Sequence, residues 1–344
     1  MKTVLLTGAA GSVGLRTLCE LVRRTDRYTL RALEVRTPRT EKILRPFRHE
    51  VEIHWVDLAN RASLETCVRN VDGVIHLAAI IPPLADRQPA LAERVNVHGT
   101  RNLVEALQQV APDAFLLYSS SVSVYGDRVR NPWIKVTDLL QPSEGDHYAV
   151  TKIKAEQIVR SSSLIWSIFR LTGIFSPRQK LDPLLFHMPL DTCLEMATTR
   201  DTGYALAEAL EHSAELQGRT FNLGGGEKCR VTYRDLLQGC FAAAGLGDMD
   251  FPAGAFADHN FHCGCFLDSA ELEQILHFQR DSFEDYLVDY ARHVPTLRRW
   301  IGTALRRPIK RYLLQKSEPY QALRRRDRKL IGRFFRNAKA ASVR

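Results

Sequence analysis

The stretch Thr3-Val4-Leu5-Leu6-Thr7-Gly8-Ala9-Ala10-Gly11-Ser12-Val13-Gly14 decides the fold. Its first five residues are a short, β-rich apolar run of the kind used by a strand buried on both faces of a parallel sheet. Three glycines spaced by three follow, and Leu15-Arg16-Thr17-Leu18-Cys19-Glu20-Leu21-Val22 then carries helical periodicity. Strand, glycine turn and helix in that order make a phosphate cradle. The glycines permit a tight turn and close backbone approach, and the helix N-terminus faces the pyrophosphate of a dinucleotide. Gly8, Ala10, Gly11, Ser12, Val13 and Gly14 are the candidate contacts.

Outward from this loop the chain alternates. Residues 28–35 read as the second strand, ending at Glu34, where a carboxylate can accept hydrogen bonds from the adenosine ribose hydroxyls and so favours NAD. Arg36 and Arg39 follow closely, which leaves NADP open. Residues 51–56 form a strand ending at Asp57-Leu58, a helix covers 62–68, and residues 73–79 form another buried strand. A long helix is expected through 95–107, a strand at 114–119 breaking into Ser119-Ser120-Ser121, a helix around Tyr148, and a strand at 164–170. Repeated units of this length predict an α/β fold with a doubly wound parallel sheet of Rossmann type. The expected division is a dinucleotide-binding part over 1–170, a small substrate-binding region over 171–290 interleaved with the sheet, and a basic helical tail over 291–344.

Tyr148 and Lys152 are four residues apart, on one face of their helix. A cation beside a phenol favours the phenolate, which equips the pair for proton exchange with an alcohol oxygen. Spacing alone is not decisive, because Tyr312 and Lys316 repeat it.

The ordered motifs Thr7-Gly8-x-x-Gly11-x-x-Gly14, Asp57-Leu58, His76-Leu77-Ala78-Ala79, Asn96-x-x-Gly99-Thr100, Ser119-Ser120-Ser121-x-x-Val124-Tyr125-Gly126 and Tyr148-x-x-x-Lys152 together resemble the extended short-chain dehydrogenase/reductases, in their NAD-dependent epimerase/dehydratase branch. The resemblance covers about residues 1–290. It implies Tyr148 as acid/base, Lys152 on the nicotinamide ribose and lowering the tyrosine's pKa, and Ser121 on the substrate oxygen. It further implies Asn96 positioning the lysine end of the relay, Asp57 and Leu58 at the adenine, and Leu77, Ala78 and Ala79 along the cofactor. Two departures matter. No carboxylate follows Ser121 in Val122-Ser123-Val124-Tyr125-Gly126, so dehydration is not expected. The segment 176–195 is short, with Arg178, Lys180 and, further on, Arg200 as its few cations, where a diphosphate clamp usually needs paired arginines. His187, Asp191 and Cys193 are candidates for the pocket, ordinary loop residues being the other reading.

Composition bounds the rest. The chain has 344 residues, 45% hydrophobic and 25% charged, as expected of a soluble protein with ample core. No apolar run approaches the ~20 residues of a membrane span, and the apolar start is too short for a signal segment, so a cytoplasmic protein is expected. Seven scattered cysteines form no disulfide framework, and Cys263-Gly264-Cys265 beside His262 lacks further ligands, so no metal is predicted. Residues 291–344 hold 17 Lys+Arg against 2 Asp+Glu, leaving the body with 31 against 37. In this tail Val294, Leu297, Ile301 and Leu305, then Leu323, Leu330, Ile331, Phe334 and Phe335, recur at helical spacing, with Pro308 and Pro319 as breaks. Its helices can pack on the body or a second subunit, lie on the inner surface of an anionic membrane, or bind nucleic acid. No specific nucleic acid is expected, because no reading motif accompanies the charge, and a homodimer is left open.

The functional expectation is an NAD(P)-dependent enzyme acting on a secondary alcohol or ketone, most like the nucleotide-sugar epimerases. A ketone reductase resembling the dihydroflavonol and 3β-hydroxysteroid branch is the alternative. A non-catalytic NAD(P)-sensing or scaffold protein is the alternative of another class, one that would not need Ser121, Tyr148 and Lys152.

Overall fold

Seven parallel strands carry the molecule: β1 (Lys2–Thr7), β2 (Tyr28–Glu34), β3 (Val51–Trp55), β4 (Gly73–His76), β5 (Phe115–Ser121), β6 (Ile165–Leu171) and β7 (Thr220–Leu223). The computed structural model describes residues 1–178 and 183–336. The strands lie in the order β7-β6-β5-β4-β1-β2-β3. The order reverses at β1, which pairs with β2 on one side and β4 on the other. In such sheets ligands bind in the crevice at the carboxyl ends beside this reversal.

Each face of the sheet is covered by helices. Leu18 and Leu21 of α1 (Ser12–Val22) pack against Val4, Leu6 and Leu30 on one face. On the other, Leu64 and Val68 of α2 (Arg61–Val68) and Leu103 and Leu107 of α3 (Thr100–Val110) pack with Ala155 and Val159 of α4 (His147–Arg160) over Leu5, Val74 and Leu116. The continuous helix expected over 95–107 is instead a widened π-helical turn, Glu93–Gly99, running into α3. π-turns of this kind re-aim side chains and recur at functional sites.

The segment after β6 sends β7 back into the sheet and, together with Trp133–Ile134 from before it, builds a smaller layer from three two-stranded pieces. Ile174–Phe175 pairs with Ala197–Thr198, Cys193–Glu195 with Arg230–Thr232, and Cys265–Phe266 with Trp133–Ile134. Phe186, Leu194, Tyr233, Phe241, Phe266 and Tyr286 form the core of this layer. Ala197–Thr198 leads into α5 (Thr199–Glu208), which Ala205 and Leu206 bury against the sheet, as do Leu272 and Leu276 of α6 (Ser269–Leu276).

The tail is four short helices: α7 (Thr296–Ala304), α8 (Arg306–Lys316), α9 (Glu318–Arg325) and α10 (Arg328–Phe334). Pro308 and Pro319 lie in the first turns of α8 and α9, where a missing N–H is no loss, so they begin helices instead of interrupting them. Phe334 and Phe335 pack on Ala257, and Ser317 Oγ donates to the Ala255 carbonyl at 2.6 Å. None of the described helices is long and apolar enough to cross a membrane.

Candidate active site

The glycine loop closes tightly on itself and on β4. Gly8 has φ +71°, and a Cβ there would stand 2.8 Å from the Ala78 nitrogen. A Cβ on Gly14 would stand 2.1 Å from the Gly8 carbonyl oxygen, so only glycine lets α1 begin against the loop. The helix starts at Gly11 with no side-chain cap, leaving first-turn N–H groups for an anion. Glu34 reaches the loop from β2: its carboxylate accepts from Ala10 N at 3.0 Å and Val35 N at 3.1 Å. Ala10 is buried, Val13 packs into the core, and Ser12 is exposed at the mouth. Arg36, the nearer cation, is engaged by Glu41 at 2.5 Å.

Across the crevice, Leu77, Ala78 and Ala79 are half-buried after β4. The Thr7 hydroxyl accepts from Leu77 N and Ala78 N at 3.2 Å each and meets His76 Nδ1 at 2.7 Å. His76 Nε2 in turn meets Thr100 Oγ1 at 3.0 Å. Burial, then the Lys152 charge, pushes this imidazole down to about 3, so it is a neutral bridge. Leu58 is buried against Gly99, where a Cβ would approach it to 2.9 Å. Asp57 accepts from Ala59 N at 2.9 Å and faces Arg94 at 3.8 Å.

Tyr148 and Lys152 lie on α4, which Asp146 caps by accepting from Ala149 N at 2.8 Å. Lys152 is buried, with its Nζ donating to the Ser119 carbonyl at 2.7 Å and lying 5.7 Å from the Tyr148 ring centroid. Burial pulls the lysine down to about 7, against the Glu156 carboxylate, which holds it up. Burial raises the Tyr148 phenol above its ordinary value, while a hydrogen bond with Ser121 pulls it back. The lowering expected from Lys152 is not the net direction: burial, the largest cause, raises the phenol. The Asn96 side chain makes no hydrogen bond to Lys152 among the described residues. Its carboxamide clamps Ile80 N and O at 2.7 and 2.9 Å and donates to Thr151 Oγ1 at 2.9 Å, and that hydroxyl donates to the Tyr148 carbonyl at 2.7 Å. It ties the wall after β4 to the helix turn between Tyr148 and Lys152.

A buried network behind α4 has no counterpart in the sequence reading. Arg170 donates to both carboxylate oxygens of Glu156 at 2.9 and 2.8 Å and to Tyr125 Oη at 2.8 Å. Tyr125 donates to Asn222 at 2.7 Å, and Asn222 to Asp268 at 2.8 Å. The arginine keeps the Glu156 carboxyl below its usual range despite burial.

Beside the N-terminus of α4 lies a cavity of about 160 Å³, walled by Pro82, Asp86, Ser143, Asp146, His187 and His262 and covered by Arg333 and Phe334 of the tail. The Phe334 ring sits 4.9 Å from His187, Arg333 faces Asp86 at 3.8 Å, and His262 faces Asp146 at 3.3 Å. Burial, then Asp146, raises the Asp86 carboxyl. Of the three pocket candidates only His187 lines this cavity. Asp191 pairs with Arg234 at 3.0 Å, and Cys193 Sγ lies 2.8 Å from Cys265 Sγ. Arg178 is exposed, Arg200 is paired with Asp281, and Lys180 lies outside the described residues. Asp146 was open to sequence reading as a helix cap two residues before Tyr148. Arg333 was not, since nothing in the tail points to the cavity.

Residues 4–188 match the model of the NAD dependent epimerase/dehydratase family. An uncharacterized membrane protein of Methanocaldococcus jannaschii is 27% identical over 197 residues, 54% of this chain and 52% of that protein. An uncharacterized epimerase/dehydratase of Staphylococcus epidermidis is 25% identical over 158 residues, 45% of this chain and 47% of its own length. The chain thus spans about half the length of the curated relatives it matches. Among solved structures, UDP-glucuronic acid 4-epimerase of Bacillus cereus, in complex with UDP-glucuronic acid and NAD, superposes with a TM-score of 0.68 at 20% identity, over 86% of this chain and 99% of that one. dTDP-glucose 4,6-dehydratase of Bacillus anthracis, in complex with NAD, gives 0.71 at 17% identity, over 85% and 96%. These likenesses carry the fold, and the matched family model, spanning more than half of the sequence, carries the membership. The chain belongs to the NAD-dependent epimerase/dehydratase family.

Proposed function

We propose that this protein is an NAD-dependent epimerase or oxidoreductase that acts on a secondary alcohol or ketone of a nucleotide sugar. The observation that carries the reading is the convergence of Ser121, Tyr148 and Lys152 at the carboxyl end of β5, across the crevice from the glycine loop. The loop fits the cofactor because Gly8 and Gly14 let its backbone close against Ala78 and the start of α1 with no side chain between, and Glu34 beside Ala10 suits an unphosphorylated ribose. NAD, when bound, supplies the hydride chemistry at the substrate carbon. The chain supplies the proton. Ser121 donates to the substrate oxygen, Tyr148 takes the hydroxyl proton or returns it, and the Lys152 ammonium stabilises the phenolate as it forms. Asp57 and Leu58 hold the adenine end, Leu77, Ala78 and Ala79 line the cofactor, and Asn96 is a positioning residue.

A nucleotide sugar is supported by the family and by what the Bacillus cereus epimerase binds. The second reading, a simple ketone reductase, has one observation in its favour: Arg200, one of the few cations that follow β6, is engaged with Asp281. Thermal stabilisation by UDP-, GDP- and dTDP-sugars separates the two, a ligand at 100 times its Kd contributing about 2.7 kcal/mol. An epimerase keeps NAD through its cycle, whereas a reductase turns over NADH. Tyr148→Phe is expected to lower kcat by about 10²- to 10⁴-fold with NAD binding intact. Full activity in that variant would sink the relay, whereas NAD binding by the wild-type chain with no turnover of any substrate would favour a non-catalytic NAD-binding protein.

A further inference from the structure

The tail divides into a half that packs and a half that does not. On α7 only Gly302 is buried, and a Cβ there would stand 2.2 Å from the Ala244 carbonyl oxygen, so this side of the helix faces the body. The other side presents Leu297, Trp300 and Ile301, with Leu305 next in line, at i, i+3, i+4 and i+8. Leu297 is 72% exposed and Trp300 73%. α8 is anchored by buried Leu313 and by Lys310, which pairs with Asp250, while Tyr312 and Arg311 face outward. Among the described residues Arg298, Arg306, Arg307 and Arg311 form no ion pair, and all four are exposed.

We propose that α7 and α8 form a docking surface for an anionic lipid bilayer, lying in its interface with Leu297, Trp300, Ile301 and Leu305 among the acyl chains and the arginines on the headgroups. An exposed tryptophan among aliphatic residues, rimmed by unpaired arginines, matches the boundary between hydrocarbon and headgroup. Charge complementarity selects this occupant. A second copy docking symmetrically would set Arg298, Arg306 and Arg307 against their own counterparts. Nucleic acid would use the arginines and leave the apolar stripe in water. The charge separation adds direction, because the acidic body is repelled by the surface that attracts the tail.

Flotation of the full-length chain with vesicles of phosphatidylcholine, with and without phosphatidylglycerol, tests this. The expected result is capture by the phosphatidylglycerol vesicles alone, weakened by salt. The double substitution Leu297→Ser/Trp300→Ser should lower binding by at least about tenfold without changing the melting temperature, since both side chains are exposed. If the double variant melts lower, Arg306→Gln/Arg307→Gln carries the test and must reproduce the loss. The proposal falls if the wild-type chain stays soluble beside phosphatidylglycerol vesicles, or if the substituted chains bind as tightly. It also falls if the wild type is a dimer that Leu297→Ser/Trp300→Ser converts to monomers, which would give the face to a second copy.

Discussion

Lys152 and Lys316 show what separates a candidate pair from a coincidence of spacing. Each lies one turn from a tyrosine, with the ammonium 5.7 Å from the Tyr148 ring centroid and 5.4 Å from that of Tyr312. Spacing sets those distances and was visible in the sequence. Burial was not: Lys152 is 2% exposed, whereas Tyr312 is 58% exposed. Burial displaces the Lys152 ammonium, to about 7. Its charged form prevails below that value and is lost as pH rises through it. kcat/KM, which reports the free enzyme, should therefore fall as pH rises through about 7, and NAD should bind more weakly on the alkaline side. A pH profile of kcat/KM checks this; a flat profile across that range would mean that the lysine's charge is not used. Glu156 holds the lysine up, so Glu156→Gln should move the same limb to lower pH.

At the scale of elements, the glycine loop and the network behind α4 frame the proposed relay, and they differed in how far they could be read. The glycine loop was legible because its parts are consecutive and their order is imposed by sterics. Gly14→Ala would drive a methyl into the Gly8 carbonyl, so α1 would have to lift from the loop. The expected outcome is at least about tenfold weaker NAD binding and a loss of about 1–3 kcal/mol in stability, read by calorimetry and urea denaturation. The network behind α4 was not legible. Glu156 and Arg170 are 14 residues apart, but Tyr125 and Asn222 are 97 apart, and no periodicity connects them. Glu156→Gln leaves the Arg170 guanidinium buried without its carboxylate, which should cost about 3–5 kcal/mol by denaturant unfolding. The π-turn over Glu93–Gly99 escaped reading for a related reason. Its apolar spacing is that of a plain helix, and the Asn96 side chain that clamps Ile80 from within the turn comes from no periodicity.

Across the whole molecule, the strand and helix succession was readable because strands buried on both faces are continuous apolar runs, while the tail's role was not. Amphipathicity told that each tail helix has an apolar side, not what that side would meet. In the structure α9 and α10 reach the segments that follow the carboxyl ends of β4 and β5, so their partners come from distant parts of the chain. Arg333, Arg336 and Glu318 face Asp86, Asp127 and Arg87 at 3.8, 3.2 and 3.6 Å. Partly exposed pairs of this kind contribute about 0–1 kcal/mol each, so the hold rests on Phe334 and Phe335, which are buried against Ala257. Phe334 also covers the cavity beside Asp146 and His187. Phe334→Ala should therefore loosen α10 and open that cavity to water while leaving Ser121, Tyr148 and Lys152 in place. A cover that binds substrate without entering the chemistry changes KM and spares kcat. The expected result is a KM raised by about three- to tenfold with kcat within about twofold of wild type, a loss on the order of one apolar contact surface. Steady-state kinetics decides it: a fall in kcat would place the tail in the reaction itself, and unchanged constants would leave α10 as packing that the substrate never meets.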